Sequence, residues 1–259
     1  MLIVTHFRTS VTALEADAHQ VRATQFITRP GTLPAITIPM LGGRWPDVDG
    51  VWSYLREAAE FFGISMPGPT EVTAALSGFA AKVVGETDPL LVAANLVVVE
   101  VEGASQIAVS GTAVQPLRST TVRIAADESV PHAHRAGDPW WRRMAARTTS
   151  RGELDQRERW LTGRGYVDGL SDGEPLLGAL VFETSGGVVG VENPEPTSVL
   201  DQLARCGVIA PIGRVSAPPT DAVRVWWVSP RYETYPVGEL AGASFPVDVE
   251  AVPSFARWS

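Results

Sequence analysis

Apolar positions along this chain recur at two spacings, and the alternation between them outlines its elements. Residues 2–9 are strand-like, and from Val11 to Phe26 the positions Leu14, Ala18, Val21 and Gln25 fall at helical intervals. Val51, Leu55, Ala58, Phe61 and Phe62 share one face of a helix predicted over 48–64, the stripe an amphipathic helix lays on a core. Pro67 to Pro69 interrupts it, and Val72, Leu76, Phe79 and Val83 mark a second helix over 71–84. The stretch 30–46 holds four prolines and three glycines and reads as irregular loop. Ala93–Val101, Gln106–Ser110 and Thr120–Ala125 are β-rich.

The second half repeats the mixture. Ser129 to Asp138, with Pro131, two histidines and Gly137, reads as a connection. Asp138 is placed to cap a helix with Pro139 in its first turn, continuing to about Gly163 with Gly152 as a weak point. Ala179–Phe182 and Val188–Val191 flank a Ser185-Gly186-Gly187 turn. Pro196-Thr197-Ser198 opens a helix to Arg205 that Gly207 closes. Ala222–Val228 and Val237–Leu240 complete the strands. The expected organisation is an N-terminal α/β domain over 1–127, a linker over 128–139 and a C-terminal α/β domain over 140–259.

Composition narrows the function classes. With 45% hydrophobic and 19% charged residues in 259, the chain builds a sizeable core and is not a disordered one. A net charge of −8, with no basic run interleaved with aromatics, argues against a nucleic-acid partner. Cys206 stands alone, so no internal disulfide forms, which fits a reducing compartment. His6 and Arg8 follow the apolar start too closely for a signal peptide, and Pro89–Val101 is too short to span a bilayer. A cytoplasmic protein without a membrane role is the expectation.

Several residues carry candidate chemistry. Thr197 and Ser198 at a helix start either cap it or help to hold an anion. Arg143, Arg147 and Arg151 share a helical face, solvated against Glu153 and Asp155 or turned toward an anionic ligand. His132 and His134 are too few for a structural metal site, so no metal is expected. Trp140-Trp141 and Trp226-Trp227 read as core or interface.

Three segments, taken in order, resemble the fold-type IV pyridoxal-phosphate (PLP) enzymes, namely the class IV aminotransferases and 4-amino-4-deoxychorismate lyase. They are Arg164-Gly165-Tyr166-Val167-Asp168-Gly169-Leu170, then Leu180-Val181-Phe182-Glu183 with the Gly186-Gly187 turn and Cys206-Gly207-Val208, and then Ser229 through Tyr235-Pro236-Val237 to Ala241-Gly242. His19-Gln20-Val21-Arg22 is similar to the family's His-x-x-Arg. The resemblance implies an α+β, two-domain fold with an interdomain cleft, PLP as cofactor and a homodimer. It also implies a phosphate site at Arg22, Thr197, Ser198 and Ser229.

The chain departs from the family at its chemical centre. It has 20 arginines and one lysine, Lys82, which lies on a helix of the first half and reads as a solvated residue. Counting back from Gly165 to the family's lysine position reaches Ala146 or Arg147. A guanidinium stays protonated (pKa above about 12) and forms no Schiff base at neutral pH. Glu174 is the nearest counterpart of the acid that faces the pyridine nitrogen, although Asp172-Gly173-Glu174 reads equally as a solvated turn. Tyr166 and His134 are candidate proton-transfer groups. The sequence therefore points to a diverged, lysine-less protein that binds a small anionic metabolite, or PLP without covalent attachment, with Arg147 as anchor. An active PLP enzyme using Lys82 and a non-enzymatic dimer are the alternatives.

Overall fold

The computed structural model describes residues 5–7, 10–12, 33–86, 91–101, 104–126, 139–150, 152–192 and 198–258. The chain forms two compact units, Met1–Val114 with Asp138–Arg151, and Gln115–Gly137 with Gly152–Ser259.

The first unit is an antiparallel sheet carrying helices. Its strands are β1 (Thr5–Phe7), β2 (Ser10–Thr12), β3 (Ala35–Leu41), β4 (Leu91–Val101) and β5 (Ala104–Val114), in the order β1-β2-β5-β4-β3. Helix α1 (Val48–Phe61) starts at Asp47, whose carboxylate accepts the N–H of Asp49 and Gly50 at 3.3 and 3.4 Å. Helix α2 (Pro69–Glu86) follows, and α3 (Trp140–Ala146) returns to this unit later. The predicted stripes meet the sheet through Val51, Leu55, Val72, Leu76, Phe79 and Val83, which are buried with Ile38, Met40, Val92, Leu96 and Val109. Phe61, expected on the same face, is instead exposed at the last turn of α1, and Phe62 is its C-cap.

Strand β3 lies where a loop is expected from the prolines. Ile36, Ile38 and Met40 alternate inward, and all seven residues pair with β4. Pro39 is tolerated because β3 is an edge strand, where one side of the backbone needs no partner.

The second unit holds β6 (Val122–Ala126), β7 (Asp168–Ser171), β8 (Glu174–Pro175), β9 (Ala179–Thr184), β10 (Gly187–Glu192), β11 (Gly213–Arg214), β12 (Ala222–Val228), β13 (Thr234–Leu240) and β14 (Ala243–Ser244). They form one sheet in the order β11-β10-β9-β12-β13-β6-β7-β8, with β14 on β13. Helices α4 (Gly152–Thr162) and α5 (Val199–Arg205) complete it. Leu180, Phe182, Val191, Val225, Trp227 and Val237 share its core with Val122 and Ile124.

Two expectations change. Strand β6, read as part of the first module, runs parallel between β13 and β7 in the second sheet, where its alternation buries Val122 and Ile124. The single helix expected over 138–163 is two helices in different units: α3 stops at Ala146 and α4 begins at Gly152. The N-cap of α3 is Pro139, with no side-chain cap bond, and Asp138 lies outside the described residues.

Candidate functional site

In the first unit the candidate residue that the structure describes is Arg147. It is the C-cap of α3, and its carbonyl accepts the Ala35 N–H at 2.9 Å. The Thr149 N–H donates to the Leu33 carbonyl at 2.8 Å, so the turn after α3 is stitched to the start of β3. The Arg147 guanidinium lies 4.6 Å from the Tyr54 ring centroid and donates through Nη1 to Glu57 Oε2 at 2.5 Å. Tyr54 and Glu57 are three residues apart on α1 and therefore present one surface to it. The Arg147 side chain is 11% exposed and that of Glu57 40%. The cation is thus shielded while its counter-ion reaches solvent.

The expected face of three arginines does not form, because the helix ends before Arg147. Arg143 lies over Trp140 instead, 4.8 Å from the ring centroid, and Arg151 is outside the described residues. Lys82, read as solvated, is half-buried on α2 with its Nζ shielded from solvent.

In the second unit, Tyr166 follows the corner glycine Gly165, whose φ of 81° suits glycine. The Arg123 guanidinium stacks on the Tyr166 ring at 4.6 Å and donates to its hydroxyl at 3.3 Å. Arg123 also donates to Glu239 at 2.8 Å, and this bond holds the Glu239 carboxyl below its ordinary range. Glu174 opens β8 after a tight turn in which Asp172 and Gly173 take φ of 51° and 84°, and it is half-buried. Asp172 and Gly173 thus make the turn expected there, and Glu174 begins the short strand that follows it.

Ser198 is the N-cap of α5: its Oγ accepts the Asp201 N–H at 2.9 Å. The same hydroxyl donates to the Glu192 carboxylate, which also accepts the Leu200 N–H at 3.3 Å. Arg214 Nη2 bridges Glu192 at 2.9 Å and Asp201 at 2.6 Å. The Glu192 side chain is 2% exposed. Burial pushes its pKa up, against the opposing pull of Ser198 and Arg214. Ser229 organises a turn: its Oγ accepts N–H bonds from Arg231 at 3.2 Å and Glu233 at 3.1 Å, with Tyr232 at φ 69° between them. Arg22, Thr197, His132 and His134 lie outside the described residues.

The chemistry missed at the sequence level is carboxylate chemistry. Asp168, inside the corner motif, is fully buried and accepts from the N–H of Gly169 (2.8 Å), Leu176 (3.1 Å), Leu177 (3.0 Å) and Gly178 (2.8 Å). Trp227 Nε1 donates to it at 2.8 Å. Burial raises its pKa and the donors oppose that rise. Its signal was an acid at the mouth of an apolar strand with a tryptophan further along, a pattern that a solvated turn also produces. Among the described residues no group of three or more His, Cys, Asp or Glu is placed to hold a metal ion. No described helix is long and apolar enough to cross a membrane.

This mixed helix-and-strand architecture is the fold of the fold-type IV aminotransferases. A hypothetical aminotransferase from Mycobacterium tuberculosis superposes with a TM-score of 0.61 at 19% identity, over 92% of this chain and 93% of that one. A fold IV-transaminase from Curtobacterium pusillum gives 0.59 at 18% identity, over 92% and 89%. A protein provisionally named 4-amino-4-deoxychorismate lyase from Legionella pneumophila gives 0.54 at 13% identity, over 84% and 86%. The mycobacterial protein also has a PLP-bound form. No protein-family profile matches the sequence, and no curated protein does.

The described residues do not fit PLP. Its aldehyde needs a lysine amine, and neither position counted for one, Ala146 or Arg147, carries it, Arg147 being bonded to Glu57. Its phosphate needs donors with no anion on them, and the donors at Ser198 and Leu200 already serve Glu192.

Proposed function

We propose that this chain is a diverged protein of the class IV aminotransferase fold that lacks the Schiff-base lysine and recognises a small anionic metabolite without Schiff-base catalysis. The arrangement of Arg147 carries this reading. Its guanidinium is fixed from one side by the Tyr54 ring, and its charge is permanent. Its counter-ion, Glu57, is the more exposed partner, 40% against 11%, and so the one free to swing away for a ligand carboxylate. A planar guanidinium pairs with a carboxylate through two parallel bonds.

The test is amino transfer. The purified protein, supplied with PLP, is assayed against a panel of L- and D-amino acids with 2-oxoglutarate as acceptor. The reading predicts no turnover above the rate with free PLP. Turnover above that rate overturns it.

A further inference from the structure

We infer that Glu192 is a built-in anion: its carboxylate occupies the start of α5 and so keeps a phosphate group, that of PLP included, from binding there. The observation is a closed set of bonds. Glu192 ends β10, and its side chain turns under the first turn of α5, where only 2% of it remains exposed. One oxygen takes the Ser198 hydroxyl and the Arg214 guanidinium, and the other takes the Leu200 N–H. Ser198 Oγ in turn receives the Asp201 N–H.

A hydroxyl, a backbone N–H at a helix start and a guanidinium are the groups that ordinarily hold a phosphate. Here each already serves a carboxylate of the same chain. Arg214 is committed twice, to Glu192 and to Asp201. A phosphate carrying between one and two negative charges would have to displace Glu192 or stand beside it. The first leaves a buried carboxylate without partners, and the second sets two anions in contact where water is excluded. Both are more costly than leaving the carboxylate in place. The exclusion is separate from the missing lysine, because it acts on any phosphate ester whether or not an amine reacts.

The experiment uses pyridoxamine 5′-phosphate, which has the ring and phosphate of PLP but no aldehyde, so that no Schiff base enters the result. Equilibrium dialysis of the whole chain is expected to show no saturable binding up to about 1 mM. Saturable binding that inorganic phosphate competes away overturns the inference. In parallel, hydrogen exchange of the Leu200 and Asp201 amides is followed in phosphate and in chloride at equal ionic strength. Equal rates in the two salts are expected. Slower exchange in phosphate contradicts the inference, because it places the ion on those amides.

Discussion

Arg147 and Glu57 form an ion pair in which the cation is shielded and the anion is not, with side-chain exposures of 11% and 40%. Removing the acid should therefore cost less than breaking a fully buried pair. Glu57→Gln is expected to lower unfolding free energy by about 1 kcal/mol, discounted for solvent screening at the exposed partner. Urea denaturation monitored by tryptophan fluorescence measures it.

The same pair makes a binding prediction. With its own carboxylate removed, Arg147 has more affinity to offer an external one. 2-Oxoglutarate at constant ionic strength should raise the melting temperature of Glu57→Gln by more than it raises the wild type's. Arg147→Ala should abolish the rise in both backgrounds. Equal shifts in all four proteins would count against Arg147 as the anchor.

Asp168 is the polar centre of the second unit. Asparagine cannot replace it, because one of its two ends is a donor that faces N–H groups. Asp168→Asn is expected to cost roughly 2–4 kcal/mol, and Trp227→Phe, which removes a single donor, about 1–2 kcal/mol. The double variant should cost less than the sum, since both changes remove one shared bond.

Gly178 lets that bond form. A Cβ at this position would stand 2.3 Å from the Val228 carbonyl oxygen and 2.6 Å from Trp227 Nε1. Backbone cannot yield as a flexible side-chain end can. Gly178→Ala should destabilise by about 1–3 kcal/mol, the cost of overpacking, and shift the Trp227 indole resonance in NMR spectra. A wild-type stability with an unmoved resonance would contradict the contact.

Glu192 predicts a pH dependence. Its folded pKa lies above its ordinary value of 4.5, chiefly through burial. Between those two values the folded chain holds more protons than the unfolded one, so unfolding free energy falls as pH rises through that window. The contribution is fully present below 4.5 and is lost on passing the folded value. Glu192→Gln should flatten this segment of the stability profile. An unchanged slope would show that other groups produce it.

The helical stripes were legible because every residue of α1 and α2 that faces the sheet sits at the spacing a helix imposes. Strand β3 was not, because Pro39 argues against a strand until the position at the sheet edge is known. The place of β6 rests on parallel pairing with β13 and β7, partners far along the chain that no local pattern names. The resemblance to fold-type IV enzymes drew attention to Arg147 and Ser198 but said nothing of Glu57 or Glu192. Those partners come from other elements, and a lone carboxylate at a helix surface or strand end looks solvated in sequence.

The most direct test of the central claim is intact mass after incubation with PLP and borohydride, for the wild type and Lys82→Arg. A Schiff base reduced in place adds one pyridoxyl group to a lysine. The account predicts no stoichiometric lysine adduct in either protein. A single adduct in the wild type that disappears in Lys82→Arg would show that lysine chemistry survives in this chain, and would contradict it.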